Sequence, residues 1–177
     1  MALVLPWEGV APSIGEEVFL APTATVIGDV AIGRRSSVWF GTVVRGDVNR
    51  IRIGARTNVQ DLTTCHVTTA RHDLAIGDDV TVGHRAILHG CHVADRVTIG
   101  MGSVVLDGVE IGEESIVAAG AVLLERTKFP PRSFIVGFPA RVKGEVPAEK
   151  LGQFVRDAEH YWRIARRYLE QFPEWKT

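Results

Sequence analysis

The 177-residue sequence predicts a mainly β fold: a parallel β-helix of six-residue repeats with one α-helix appended at its C-terminus. Three observations carry that expectation. An Ile-Gly pair recurs at Ile14-Gly15, Ile32-Gly33, Ile53-Gly54, Ile76-Gly77 and Ile111-Gly112, with Val93-Ala94 filling the place before the last. From these starts an aliphatic residue returns every sixth position, as in Leu20, Val26, Ile32, Val38 and Val44, or Ile99, Val105, Ile111, Val117 and Leu123. Eighteen glycines beside only 7% aromatic residues suit repeated short strands and tight corners better than a globular core.

The elements follow in order. Six residues make a short strand and its corner, three such units make a triangular coil, and the aliphatic residue points into the prism. One rung cannot bury that residue alone, so rungs stack at the strand spacing of ~4.8 Å. A small or β-branched residue sits two positions earlier in most units, for example Ala24, Ser36, Thr42, Thr57, Ser103, Ser115 and Ala121. Coil starts are spaced by 18, 21, 23, 17 and 18 residues, which puts three extra residues near 48–50, five near 69–75 and a deletion near His92. Insertions in a solenoid project from one side and often carry function. After Leu123 the pattern is expected to decay through Lys128-Phe129-Pro130-Pro131 into Gly137-Phe138-Pro139-Ala140, the proline there ending the rungs.

Pro147 is expected to open the helix, with Glu149 at its positive end, and Pro173 to close it. Leu151, Phe154, Val155, Ala158, Trp162, Ala165, Tyr168 and Leu169 recur at helical spacing, a stripe suited to lying along the outside of the prism. Residues 1–143 are thus expected as the β-helix and 144–177 as a helix belonging to the same structural unit.

Composition excludes several function classes. A net charge of −1 gives no nucleic-acid footprint, and Arg163, Arg166 and Arg167 are interleaved with Glu159 and Glu170 as on a solvated face. No apolar run reaches ~18 residues, and Pro6, Trp7 and Glu8 break any leader pattern, so a cytoplasmic chain without a membrane partner is expected. Cys65 and Cys91 are too few for a disulfide scaffold and suit a reducing compartment.

The chemistry concentrates between Asp61 and Gly90, which hold four of the six histidines. His66 lies 13 residues after Ile53 and His89 lies 13 after Ile76, so they share a column on adjacent rungs, with Arg45, 13 after Ile32, in line beyond them. Rungs about 5 Å apart allow two imidazoles to close on a tetrahedral zinc with bonds of about 2.0–2.1 Å. His84, eight after Ile76, lies on the preceding face around a convex corner, in the column of Asp61. It cannot reach the other two within one chain. A cyclic trimer solves this, His84 of one copy meeting His66 and His89 of the next, three times over.

The segments VVRGDVNRIRIGARTNVQD (residues 43–61), CHVT around His66, VTVGHRAILHGCHV (80–93), IGMGSVVLDGVEIG (99–112) and VGFPARV (136–142) together resemble the γ-class carbonic anhydrases, nearly end to end. The resemblance implies a left-handed β-helix, a homotrimer, and a zinc ion (iron or cobalt also possible) at each interface, held by His66 and His89 of one chain and His84 of its neighbour. It implies a carbonate dehydratase, a lyase hydrating CO2 to bicarbonate through a hydroxide on the metal. Arg45 and Asp47 match interface salt-bridge positions, Gln60 and Asp61 match positions that hold the hydroxide, and Tyr161 resembles a pocket-lining tyrosine. The sequence departs from the most active members in the proton-relaying acidic loop. Val48 follows Asp47, and the loop TTARHDLA offers only His72 as a titrating group, so activity is expected to be low. An acyltransferase or a metal-dependent thioesterase on the same solenoid, or a non-catalytic trimeric scaffold, are the alternatives.

Overall fold

The structure, a computed structural model, describes residues 1–175; the last two residues of the expected helical unit lie outside them. It is a left-handed parallel β-helix with a helix packed along one face. The coil starts pair in the expected register: Ile14 with Ile32, Ile32 with Ile53, Ile53 with Ile76, Ile76 with Val93, and Val93 with Ile111. The first face of the prism stacks Phe19–Leu20, Ser37–Val38, Asn58–Val59, Thr81–Val82, Thr98–Ile99, Ile116–Val117 and Ser133–Gly137. The second stacks Thr64–His66, Ile87–His89, Val104–Val105 and Val122–Leu123; the third stacks Leu74–Ile76, His92–Val93, Glu110–Ile111 and Lys128–Phe129. Two long strands, Thr25–Ile32 and Val43–Ile53, run through both of these faces and join them into one sheet. The inward column from Leu20 to Leu123 is buried throughout.

The corners explain how such short strands turn. Glu17, Arg35, Arg56, Asp79, Arg96, Glu114 and Arg132, each three residues after a coil start or its equivalent, adopt φ between 53° and 61°. A left-handed conformation costs a residue with a Cβ roughly 1–2 kcal/mol. Two kinds of bond offset it. The N–H of Arg35, Arg56 and Asp79 donates to the preceding rung, at Glu16 O (3.0 Å), Arg34 O (2.9 Å) and Ala55 O (3.0 Å). The side chains pair along the edge, Glu17 with Arg35 at 2.7 Å and Arg56 with both oxygens of Asp79 at 2.7 Å. The small residues two positions before the inward ones are explained as well: Ser36, Thr42 and Thr57 donate to the carbonyls of Gly54, Gln60 and Gly77 on the next rung at 2.7, 2.8 and 2.7 Å, so buried hydroxyls keep partners.

The extra residues lie where the spacing puts them. Thr25–Ile32 and Val43–Ile53 lose register between Gly28 and Val30, opposite residues 47–50, and a small bridge between Thr68 and His72 closes the second insertion. After Leu123 the six-residue pattern weakens as expected, but the parallel rungs run on to Ser133–Gly137 before Pro139 ends them. Phe129 pairs with Ile111 and Ile135 with Val117, so stacking continues. Pro130 and Pro131 do no harm because they fall in the corner, where no ladder N–H is required. An antiparallel strand, Ala140–Glu145, then closes the stack and runs across the expected 143/144 division.

The helix also starts later than Pro147 suggests. That proline leads into a 3-10 turn, Ala148–Lys150, and the α-helix α1 spans Gln153–Gln171, starting after Gly152, which offers no side-chain cap. It lies on the first face over the earlier rungs, with Phe154, Ala158 and Ala165 buried. Val155 faces away and is exposed, while Tyr161 and Ile164, outside the expected stripe, pack on the core. Ring centroids 5.2–5.8 Å apart link Phe19, Trp39, Tyr161 and Tyr168, and Arg35 and Arg166 both stack on Trp162, at 4.8 and 5.1 Å.

Candidate metal centre

Strand register brings the first two histidines together. His66 and His89 are paired residues of adjacent strands on the second face. Their rings stand 5.0 Å apart, and Nδ1 of His66 lies 3.0 Å from Nε2 of His89. The outer nitrogens are held by carboxylates. Nε2 of His66 donates to Asp47 Oδ1 at 3.0 Å, and Nδ1 of His89 donates to Asp107 Oδ1 at 2.6 Å.

These partners fix what the facing nitrogens are. A neutral imidazole has one N–H, and here each is given to an aspartate. With both rings neutral, the two facing nitrogens present lone pairs 3.0 Å apart, an arrangement that a metal cation, or one added proton shared between them, would satisfy. Two nitrogens bound to one tetrahedral zinc at about 2.0–2.1 Å lie ~3.3 Å apart. The donor pair fits a metal, and the aspartates behind it are the arrangement that orients metal-binding histidines.

Burial pushes the Asp47 carboxyl up, but bonds from His66 and Arg45 outweigh it and hold the group below the usual carboxylate value. Asp107 behaves alike, burial being outweighed by bonds from Thr68 and His89. Both stay ionised at neutral pH, the state needed to accept an imidazole N–H. Arg45 and Asp47, expected as interface salt-bridge positions, pair with each other within one chain.

The remaining candidates gather at the opposite edge of the second face. His84 occupies the turn after Thr81–Val82, with Nδ1 2.7 Å from Asp61 Oδ2 on the preceding rung, which leaves Nε2 free to coordinate. Tyr161 reaches this corner from α1. Burial, then the charges of Asp61 and Asp157, push its hydroxyl up, so it remains a donor at neutral pH. Gln60 is buried at 4% exposure, its amide donating to Asn58 Oδ1 at 3.0 Å.

One chain thus carries two separate groups of candidate residues. Arg45, Asp47, His66 and His89 lie at one edge of a face, and Gln60, Asp61, His84 and Tyr161 at the other. Among the described residues, no three His, Cys, Asp or Glu side chains converge within one chain. The face between the two groups is apolar outward. Val43, Thr64, Ile87, Val104 and Val122 form its column, with Ile87 42% exposed, and Leu62, Met101 and Leu124 are exposed along its corners. The third face instead presents Arg52, His92, Glu110 and Lys128.

The spacing argument misses Asp107 and Thr68. Thr68 Oγ1 donates to Asp107 Oδ2 at 2.5 Å, completing the support of His89. Column arithmetic could not find Asp107, because the position 13 after Val93 is Leu106 and the carboxylate comes from the corner beyond it. His72 is half-buried rather than free in its loop, lying against Gly90 and Gly108.

Comparisons with known proteins place the chain among hexapeptide-repeat and carbonic anhydrase relatives. The family described as "Bacterial transferase hexapeptide (six repeats)" matches residues 90–125. A carbonic anhydrase of Geobacillus kaustophilus is 40% identical over 99% of this chain and 92% of its own. Gamma carbonic anhydrase 1, mitochondrial, of Arabidopsis thaliana is 43% identical over 91% of this chain, which spans only 60% of that protein's length. Among solved structures, a hexapeptide transferase family protein from Anaplasma phagocytophilum superposes with a TM-score of 0.90 at 38% identity, covering 94% of this chain and 98% of that one.

Proposed function

The chain belongs to the γ-class carbonic anhydrase family, and from that membership we propose that it hydrates CO2 to bicarbonate at a metal shared between copies of itself. The observation that carries the reading is the pair of lone-pair nitrogens of His66 and His89, each backed by an aspartate. His84 of a second copy, itself backed by Asp61, supplies the third donor. Zinc suits three imidazoles, with iron or cobalt as substitutes. A metal held by these three histidines would supply acidified water, with hydroxide available near pH 7, a value established on carbonic anhydrases themselves.

The residues of the chain do the rest. Asp47 and Asp107 keep the imidazole protons on the outer nitrogens, so the inner ones remain donors to the metal. Tyr161, protonated at neutral pH, offers a hydroxyl at the His84 edge to orient substrate or water. The Gln60 amide, with its N–H engaged by Asn58, keeps its carbonyl as an acceptor for the same water. A cleft of about 470 Å³ lies beside Asp47, lined by Asp29, Arg50, Arg71 and Asp73. A cytoplasmic homotrimer acting on CO2 and bicarbonate completes the proposal.

Acyl transfer is the second reading, supported by the transferase name of the matched repeats and of the Anaplasma protein. It needs no three-histidine centre. Metal analysis of anaerobically purified protein, followed by CO2-hydration assays on the wild type and His66→Ala, decides between them. One metal per chain, with hydration lost together with the metal, supports the hydratase. Metal-free protein that transfers acyl groups overturns it.

A further inference from the structure

The structure assigns positioning roles to Asp107 and Thr68: they fix which nitrogen of His89 is offered to the metal, and at what angle. The inference rests on the metal-centre reading above and extends it to residues outside the ligand set.

His89 sits at the end of Ile87–His89, and nothing in a short strand fixes how its ring turns. Asp107, from the corner one rung on, accepts the Nδ1 proton at 2.6 Å through Oδ1. That bond sets the tautomer and leaves Nε2 as the donor, pointing at His66. A carboxylate can itself rotate, and its second oxygen is tied down too. Thr68 donates to Oδ2 at 2.5 Å across 39 residues of sequence.

Thr68 is held in turn, since its N–H donates to the His72 carbonyl at 3.0 Å in the bridge that closes the inserted loop. His72 then lies over Gly90 and Gly108, two positions where φ is positive and an added Cβ would come within 2.7 and 3.1 Å of its side chain. Support for His89 therefore runs from the insertion through Thr68 to Asp107. His66 has a shorter arrangement, with Asp47 braced by Arg45. Each of the paired ligands thus has its own carboxylate, and each carboxylate has its own donor.

The test measures zinc affinity of the full-length protein by chelator competition, and reads the His89 tautomer by long-range ¹H–¹⁵N NMR of the metal-free protein. Removing an outer partner of a metal-binding histidine lowers metal affinity about 10–100-fold. Asp107→Asn is expected to fall in that range and to lose the Nδ1–H signature of His89. Thr68→Val should lose several-fold, and Thr68→Ser should recover most of it. Thermal melts and oligomeric state check that folding is intact. Should Asp107→Asn fold poorly, Thr68→Val against Thr68→Ser carries the decision. Zinc affinity within twofold of wild type in both Asp107→Asn and Thr68→Val, with the tautomer unchanged, overturns the inference. His66→Ala separates the two readings. If it loses zinc while Asp107→Asn keeps it, only the positioning roles fail; if wild type and His66→Ala bind zinc equally weakly, the metal centre fails and the positioning roles with it.

Discussion

His66 and His89 face each other from neighbouring rungs with Nδ1 and Nε2 3.0 Å apart, while Asp47 and Asp107 occupy their other nitrogens. On the proposed reading the pair supplies two of three metal donors. His84, which would finish it, stands at the far edge of the same face.

A complementation experiment follows from that separation. His84→Ala and His66→Ala should each lose bound metal. Mixed trimers reassembled from the two variants should regain one site each, wherever an intact pair adjoins an intact His84. Metal analysis and native mass spectrometry of the reassembled mixture measure this. Recovery of no metal in verified mixed trimers would show that all three donors come from one chain.

Proton export is expected to limit turnover. Val48, 41% exposed beside Asp47, carries no proton, and His72 is tied into the corner formed by Gly90 and Gly108. A well-placed acid–base group supplies about 10²- to 10⁴-fold. Imidazole buffer, or Val48→Glu, should therefore raise kcat with little change in kcat/KM. Stopped-flow hydration at several buffer concentrations checks this, and a kcat that ignores the buffer rejects it.

A corner glycine and a strand glycine together give a stability prediction. A Cβ on Gly112 would stand 2.3 Å from the backbone N of Pro131, whereas a Cβ on Gly144 would meet nothing within 4 Å. Gly112→Ala should cost at least ~1–3 kcal/mol, and Gly144→Ala should stay within about 0.5 kcal/mol of wild type. Urea titrations of both variants measure the difference. Equal stability would mean the stacked corners yield more easily than their spacing implies.

Acid should weaken the inserted loop. Bonds from His92 and then Arg50 hold the Asp73 carboxyl below its usual range, against the opposing effect of burial. A lowered folded-state pKa means stability that is present above about pH 4 and lost as pH falls through the folded value. Asp73→Asn should cost up to about 1 kcal/mol at pH 7, the scale of a part-exposed pair. The gap between variant and wild type should close as pH falls through the lowered folded-state value. Melting temperatures across pH 2–7 test it, and a gap that persists in acid would assign the effect to packing.

Much of this architecture was legible in the sequence because a solenoid converts sequence distance directly into spatial position. Equal offsets from Ile53 and Ile76 put His66 and His89 in register, and the structure pairs them. The reading failed where a corner interrupts the count. Asp107 lies one residue past its column, and no spacing rule says which way a corner side chain turns. At Phe129 the six-residue pattern weakens because an aromatic residue replaces the usual aliphatic one, although the rung itself forms and pairs with Ile111. The helix start was misread because Pro147 favours any helical turn, and a 3-10 turn used it first.

The antiparallel strand Ala140–Glu145 bears on how this molecule can associate. A bare last rung would present open backbone groups on which another prism could stack, and repetition of that contact would build a fibre. Here the terminal strand runs against the stack, loses register near Phe134 and carries Arg141, Lys143 and Glu145, all exposed. End-on stacking is disfavoured at this end of the prism, while the sides of the prism carry no such barrier.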